Sequence, residues 1–209
     1  MKFKDRKEAG QKLAEALRKY KNEDAIVYAL PRGGVVLGFE VAKELNIPLD
    51  LVITRKIGHP FQEEYAICAV AEDGDMLCNE EERLAIDEKW LEKEKKKEQE
   101  EAKRRREIYL SNRKSPSAEN KTAIIIDDGI ATGLTMSLAI SEIKHKKPKR
   151  IIVAVPVASS DFVKKIKGEV DESVILYIPD IYLGAVGMYY DDFSQVEDGE
   201  VIKLLGTFG

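Results

Sequence analysis

The chain has 209 residues, of which 44% are hydrophobic and 34% are charged, and its formal net charge is −4. This length favours one domain, and the nearly balanced charge argues against a generally nucleic-acid-binding surface. The spacing of Cys68 and Cys78 and of the two histidines predicts neither a zinc site nor a disulfide framework. The N-terminus lacks the apolar stretch of a secretory signal, and no apolar run reaches ~18 residues, so we expect a cytoplasmic protein without a membrane span.

The chain alternates predicted strands and helices over most of its length. Residues 25–30 form a short continuous apolar run, typical of a strand buried on both faces, and further strands are predicted at residues 49–56, 122–127, 150–158 and 173–178. Apolar residues at helical spacing predict helices over residues 5–20, 35–45, 133–146 and 161–167. This alternation favours right-handed crossovers, so we expect an α/β fold with a core of five mostly parallel strands.

Residues 57–110 do not follow this alternation and are predicted as an insertion. Residues 57–64 have the composition of a loop, and apolar runs on both sides of Gly74 predict a hairpin within residues 66–79. Residues 80–110 contain neither Gly nor Pro, which predicts a helix about 45 Å long. Its apolar residues lie at the two ends, so we expect a solvated, salt-bridged helix; a phosphate-binding face at residues 103–106 is the alternative.

The segment TAIIIDDGIATGLT (122–135) ends a predicted strand on two carboxylates, Asp127 and Asp128. Ligands of open parallel sheets bind at the carboxyl ends of strands. The N-terminus of the following helix attracts phosphate, whereas carboxylates accept hydrogen bonds from sugar hydroxyls and attract Mg²⁺. The segment therefore predicts a pocket for a ribose 5-phosphate.

The same segment resembles the phosphoribosyl-diphosphate (PRPP) binding motif of the type I phosphoribosyltransferases. The resemblance implies their Rossmann-like fold, a central parallel sheet flanked by helices, over about residues 25–180. It implies that Asp127 and Asp128 hold the ribose hydroxyls, and that Leu134 occupies the position of a family glycine. The residues implied to contact the 5′-phosphate are Ala131, Thr132, Gly133, Leu134 and Thr135, and Gly129 is a further candidate for PRPP binding.

Two upstream segments fit the same resemblance. LPRGG (30–34) follows the first strand, where the family places its pyrophosphate loop. Glycines permit the close approach of an anion, and the Arg32 guanidinium can donate two hydrogen bonds to it. Arg32, Gly33 and Gly34 are therefore candidate PRPP-binding residues. Arg55 and Lys56 end the second strand before a loop that we expect to be mobile. They would approach the leaving pyrophosphate and, with Asp128, are the candidate catalytic residues. Mg²⁺ would be held through PRPP, with Asp127 and Asp128 as further candidate ligands.

A cover over the site is predicted from residues 57–79 and from a C-terminal hood at residues 179–209. The segment PDIYLGAVGMYYDDF (179–193) loosely resembles the hood of the 6-oxopurine enzymes, in which an aromatic residue stacks on the base. This resemblance makes Tyr182, and more weakly Tyr189, candidate acceptor contacts. The segment lacks the family's later acid, and no Lys follows VAVPVA, so the sequence does not name the acceptor.

The sequence therefore predicts a single domain over residues 1–209 that transfers ribose 5-phosphate from PRPP to a nucleobase-like acceptor and releases pyrophosphate. We expect Mg²⁺ as cofactor and a homodimer. Two alternatives stay open. The first is a PRPP-binding regulator without catalysis, whose residues 103–106 and 146–150 would touch nucleic acid, a partner that the near-neutral charge disfavours. The second is a structural protein that oligomerises through the long helix.

Overall fold

The computed structural model describes residues 1–111 and 113–208, apart from the side chains of residues 63 and 64. Residue 209 of the predicted hood, and the side chains of residues 63 and 64 in the predicted loop, lie outside the described residues. No helix in the described ranges is long and apolar enough to cross a membrane.

Eight strands, seven α-helices and three short 3₁₀-helices are defined within these ranges. The strands are β1 (Ala25–Ala29), β2 (Leu49–Leu51), β3 (Thr54–His59), β4 (Gln62–Ala71), β5 (Met76–Cys78), β6 (Thr122–Ile126), β7 (Arg150–Val157) and β8 (Glu172–Tyr177). The helices are α1 (Arg6–Ala16), α2 (Gly33–Leu45), α3 (Glu80–Arg83), α4 (Glu88–Leu110), α5 (Leu134–His145), α6 (Ser160–Ile166) and α7 (Asp198–Leu205).

Five parallel strands form the central sheet in the order β2-β1-β6-β7-β8. Their side chains alternate between two apolar layers: Val27 of β1 packs with residues of α1 and α2, whereas Tyr28 packs with residues of α5 and α6. Burial on both faces explains why β1, β6 and β7 are rich in apolar residues, whereas β8, at the edge of the sheet, is only partly buried. The predicted α/β fold with a five-stranded parallel core is confirmed.

A second, antiparallel sheet of three strands, β3-β4-β5, replaces the predicted loop at residues 57–64. The predicted strand at residues 49–56 was also wrong, because β2 ends at Leu51 and Thr54 begins β3 in this other sheet. The expected hairpin around Gly74 is present, with a positive φ of 98° at that glycine. Residues 57–71 therefore pair as strands, and the tip of the β3–β4 hairpin lies between His59 and Gln62.

Cys68 and Cys78 lie directly opposite each other on β4 and β5 and are joined by a disulfide. The expectation of no disulfide was therefore wrong. It considered sequence spacing alone, whereas antiparallel pairing brings the Cβ atoms of opposite residues within ~5.5 Å.

The long charged insertion packs on the protein and is broken in two. The chain turns between α3 and α4, where Asp87 caps the N-terminus of α4 by accepting a hydrogen bond from the Trp90 backbone N–H at 2.8 Å. Ala102 and Tyr109 of α4 are buried, and the Tyr109 hydroxyl donates to Asp198 at 2.6 Å. The predicted solvated helix was therefore wrong for the face of α4 that contacts the two sheets and α7.

The C-terminal segment contributes to the core as well as to the site. Val201 and Leu205 of α7 are buried in the same apolar layer as α1 and α2. The part of the predicted hood before α7 lies near the carboxyl end of β6, where Val186 packs on Gly129.

Candidate active site

Asp127 and Asp128 directly follow β6, at the carboxyl edge of the central sheet. The Asp128 backbone N–H donates to Asp127 Oδ1 at 2.8 Å, and the Tyr190 hydroxyl donates to the Asp128 carbonyl at 2.6 Å. Burial, together with the neighbouring Asp128 carboxylate, raises the pKa of Asp127 well above its usual range. Two adjacent acids in this position are costly for the folded state unless cations or ligands compensate them.

Arg6, which the sequence analysis did not single out, contacts the second acid. Its Nε donates to Asp128 Oδ2 at 2.7 Å, and the two side chains are only 12% and 14% exposed. Burial raises the pKa of Asp128, and the Arg6 charge opposes that shift. Nothing in the local pattern around residue 6 indicates this role, because the contact joins residues 122 positions apart.

The segment after the acids forms the predicted loop before a helix N-terminus. Gly133 has a φ of 79°, and a side chain at this position would overlap the Phe162 ring, so only glycine fits. Leu134 is the first residue of α5, and no side chain among the described residues caps that helix end. The first-turn N–H groups of α5 and the exposed Thr132 are therefore available to an anion.

The position where the motif departs from the family pattern has a packing role. Leu134 packs in an apolar cluster with Ala69 and Ala71 of β4 and with Leu77 and Leu138. Its bulk therefore lies against the three-stranded sheet, and the loop keeps its course through Gly133. The residue fixes the small sheet to the helix that begins at the candidate phosphate site.

The PRGG segment approaches the acids as expected for a shared site. Helix α2 begins at Gly33, and a side chain at Gly33 would overlap the Asp128 carboxylate. Gly34 follows in the same first turn, against the backbone of Asp127. The Arg32 side chain instead extends to α7, where its Nη1 lies 3.5 Å from Asp198 Oδ1. In this structure the candidate pyrophosphate cation is thus paired with an acid.

Arg55 and Lys56 lie on opposite faces of β3, as consecutive residues of a strand must. Lys56 is close enough to both acids to lower their pKa values. Arg55 faces α4, where its Nε donates to Glu98 Oε2 at 2.8 Å. The structure therefore places Lys56 beside the acids and Arg55 against α4.

The two candidate acceptor residues also differ in their placement. Tyr189 is 3% exposed, and its hydroxyl oxygen accepts a hydrogen bond from the Leu183 backbone N–H at 2.8 Å. In this structure it supports the hood from inside. Tyr182 is half-buried, with its ring centroid 5.4 Å from that of Tyr189. Its hydroxyl is buried without a hydrogen-bond partner among the described residues.

The sequence matches the phosphoribosyl transferase domain over residues 3–192, which is most of the chain. The chain belongs to the phosphoribosyl transferase domain family. In two strains of Mycobacterium tuberculosis it is similar to a protein named as a putative phosphoribosyl transferase, with 37% identity over 205 residues. That alignment covers 97% of this chain but only 46% of each relative. The crystal structure of TT1426 from Thermus thermophilus is similar over 100% of this chain and 99% of that one, with 38% identity and a TM-score of 0.81.

Within this phosphoribosyl transferase domain, the residues that the sequence did not reveal are those whose direct contacts join positions far apart in the sequence. Arg6 and Tyr190 come from opposite ends of the chain to hold Asp128. Glu98, inside the charged run of α4, holds Arg55. No local signal distinguishes these side chains from ordinary surface residues, because their partners are set by the topology.

Proposed function

We propose that this phosphoribosyl transferase domain transfers ribose 5-phosphate from PRPP to a nucleobase-like acceptor. In that reaction the bond from ribose C1′ to pyrophosphate breaks, and a bond from C1′ to the acceptor forms. The observation that carries the proposal is the meeting of Asp127 and Asp128 with the first turn of α2, the Lys56 side chain and the loop before α5. A sugar carrying phosphates at both ends matches this combination of acids, helix N-termini and cation.

The geometry suggests a distinct task for each part of the site. The carboxylates accept hydrogen bonds from the ribose hydroxyls, and the first turn of α5 with Thr132 binds the 5′-phosphate. The N-terminus of α2 and the Lys56 charge stabilise the pyrophosphate as negative charge develops on it. Arg32 can join them by exchanging Asp198 for pyrophosphate, since that ion pair is 3.5 Å long and partly exposed.

The acid pair fits a magnesium ion that is held mainly through the substrate. Two neighbouring carboxylates with raised pKa values favour a nearby cation, but they supply few ligands for an ion that prefers six oxygens. Asp127 and Asp128 would therefore contact Mg²⁺ alongside the oxygens of PRPP and water. When bound, the ion would neutralise charge on the pyrophosphate.

Tyr182 is the acceptor contact that the structure favours. Its hydroxyl is the polar atom of the hood that is buried without a partner among the described residues, so an acceptor with a hydrogen-bonding edge would satisfy it. An aromatic acceptor could also pack on the exposed part of the ring. The homodimer and the cytoplasmic location expected from the sequence remain predictions.

The nucleic-acid-binding alternative has less support, because the three arginines of the expected basic segment of α4 are already paired. Arg104 and Arg105 both donate to Glu101, at 2.6 and 2.8 Å from their Nε atoms. Arg106 donates to Glu72 and to the Leu51 carbonyl. Phosphate contacts by these side chains would require breaking these interactions, and the net charge offers no long-range attraction.

The proposal is tested by pyrophosphate release from PRPP and Mg²⁺ in the presence of a panel of purine and pyrimidine bases. We expect release that depends on one acceptor class, and Tyr182→Phe should raise KM for that acceptor about three- to tenfold without changing PRPP affinity, since only one hydrogen bond is lost. Binding of PRPP without release in any acceptor reaction would favour the regulatory alternative.

A further inference from the structure

Arg6 is held in place by residues from both ends of the chain. Asp5 caps the helix that starts at Arg6 by accepting a hydrogen bond from the Glu8 backbone N–H at 2.7 Å. The Arg6 Nη1 donates to the Ser194 carbonyl at 2.7 Å, and its Cζ lies 3.7 Å from the centre of the Phe193 ring. These contacts leave the guanidinium with little rotational freedom.

The segment that contacts Arg6 also binds the backbone next to it and the backbone of the acid. The Phe3 backbone N–H donates to the Tyr189 carbonyl, and the Asp191 backbone N–H donates to the Phe3 carbonyl, each at 2.8 Å. Between these bonds, Tyr190 reaches the Asp128 carbonyl through its hydroxyl. Residues 3–6 and residues 189–194 therefore contact each other and together hold Asp128.

We propose that Arg6 is a positioning residue for substrate binding, which fixes Asp128 Oδ2 so that Oδ1 is presented to a ribose hydroxyl. This inference rests on the proposed function. Arg6 donates to Oδ2, and among the described residues it is the one side chain that donates to this carboxylate. Gly33 lies against the same oxygen, because a Cβ atom there would overlap Oδ2 and would lie 2.9 Å from Arg6 Nε. Arg6 and Gly33 together therefore fix the Oδ2 side of the acid, which is pre-ordered for its ligand.

A purely structural salt bridge is the competing explanation, and the location argues against it. Arg6 and Asp128 are almost buried, and pairs in such positions seldom add stability beyond what apolar residues of similar volume would give. Arg6 could reach the Ser194 carbonyl and the Phe193 ring without any acid. The acid belongs to the ribose motif, so its orientation by Arg6 matters to the ligand.

The test measures PRPP affinity in the presence of Mg²⁺ by calorimetry, with kcat and KM where turnover is detected. The variants of the full chain are Arg6→Gln, Arg6→Lys, Asp128→Asn and the Arg6→Gln/Asp128→Asn double variant. Lys7→Gln is the matched control, because Lys7 is exposed on the same turn of α1 and carries the same charge. Circular dichroism establishes that each variant is folded.

We expect Arg6→Gln to weaken PRPP binding at least about tenfold, Arg6→Lys to weaken it about threefold, and Lys7→Gln to leave it unchanged. The double variant should bind within about twofold of Asp128→Asn, because Arg6 acts through that acid. Unchanged affinity in folded Arg6→Gln, or a full additive loss in the double variant, would overturn the inference while leaving the proposed function intact. If Arg6→Gln does not fold, Arg6→Lys with affinity equal to wild type overturns it. Absence of PRPP binding by the wild-type protein would overturn both.

Discussion

At the scale of single residues, the direction of a side chain decides its role. Arg55 and Lys56 are adjacent cations at the end of an apolar run and look equivalent in the sequence. Strand alternation sends Lys56 toward the acids and Arg55 toward Glu98 of α4. Only one of two neighbouring charges is thus placed to act on a substrate.

The comparison of Lys56→Ala with Arg55→Ala tests this division. Lys56→Ala should lower kcat about tenfold or more with a smaller rise in KM, because its charge matters most as the pyrophosphate departs. Arg55→Ala should leave kcat within about threefold and instead lower the free energy of unfolding by about 1–2 kcal/mol, since Glu98 loses its partner. The measurements are steady-state kinetics and urea denaturation. Equal losses of kcat in the two variants would contradict the assignment of faces.

Glu142 of α5 gives a prediction about stability and pH. It is 4% exposed, one carboxylate oxygen lies 3.5 Å from Lys146 Nζ, and the other has no partner among the described residues. Burial raises the pKa of Glu142 to about 7. The folded state therefore binds this proton more tightly than the unfolded state, and stability should fall as the pH rises from about 5 through 7, by at most ~3 kcal/mol.

Glu142→Gln removes that dependence, because the amide stays neutral. Urea denaturation should show the variant close to wild type at pH 5 and more stable than wild type at pH 8. Glu119→Gln, at an exposed position, is the control and should leave the free energy of unfolding unchanged at both pH values. A variant that is less stable than wild type at pH 8 would mean that the ion pair with Lys146 outweighs the cost of burial.

At the scale of elements, the three-stranded sheet packs between two helices, α4 and α5. One face carries Ile57 and Val70 against Leu91 of α4, and the other carries Ala69 and Ala71 against Leu134 and Leu138 of α5. The candidate phosphate loop is therefore coupled by packing to the strand that carries Lys56. We expect the body of this sheet to stay docked, which confines the mobility expected for this segment to the tip of the β3–β4 hairpin.

Leu134→Gly tests the coupling, since it restores the family glycine and removes the packing. We expect the free energy of unfolding to fall by about 2–4 kcal/mol, because an apolar side chain is deleted and the unfolded backbone gains freedom. Hydrogen exchange of the β4 amides should become faster, and PRPP affinity should fall. Leu84→Ala, at a side chain that is 86% exposed, is the control. Unchanged protection of β4 in Leu134→Gly would show that the sheet is held without this residue.

At the scale of the whole molecule, the sequence predicts what depends on local periodicity and misses what depends on topology. The central strands are visible as apolar runs, and the acid pair Asp127 and Asp128 is visible because two carboxylates directly follow one of these runs. The break after Leu51 is not visible, because the same run continues into β3 of another sheet. The disulfide can be predicted only when the pairing of β4 with β5 is known. The Arg6 contact can be predicted only when it is known that the N-terminal segment reaches Asp128.

The central claim is that the end of β6 binds the ribose of PRPP. The most direct measurement is calorimetric titration of PRPP with Mg²⁺ into the wild-type protein and into Asp127→Asn, whose fold is checked by circular dichroism. We expect saturable binding by the wild type and a loss of at least about tenfold in affinity in the variant, because a ribose hydroxyl loses a charged acceptor. Absence of binding by the wild type, or equal affinity in the folded variant, would contradict the account.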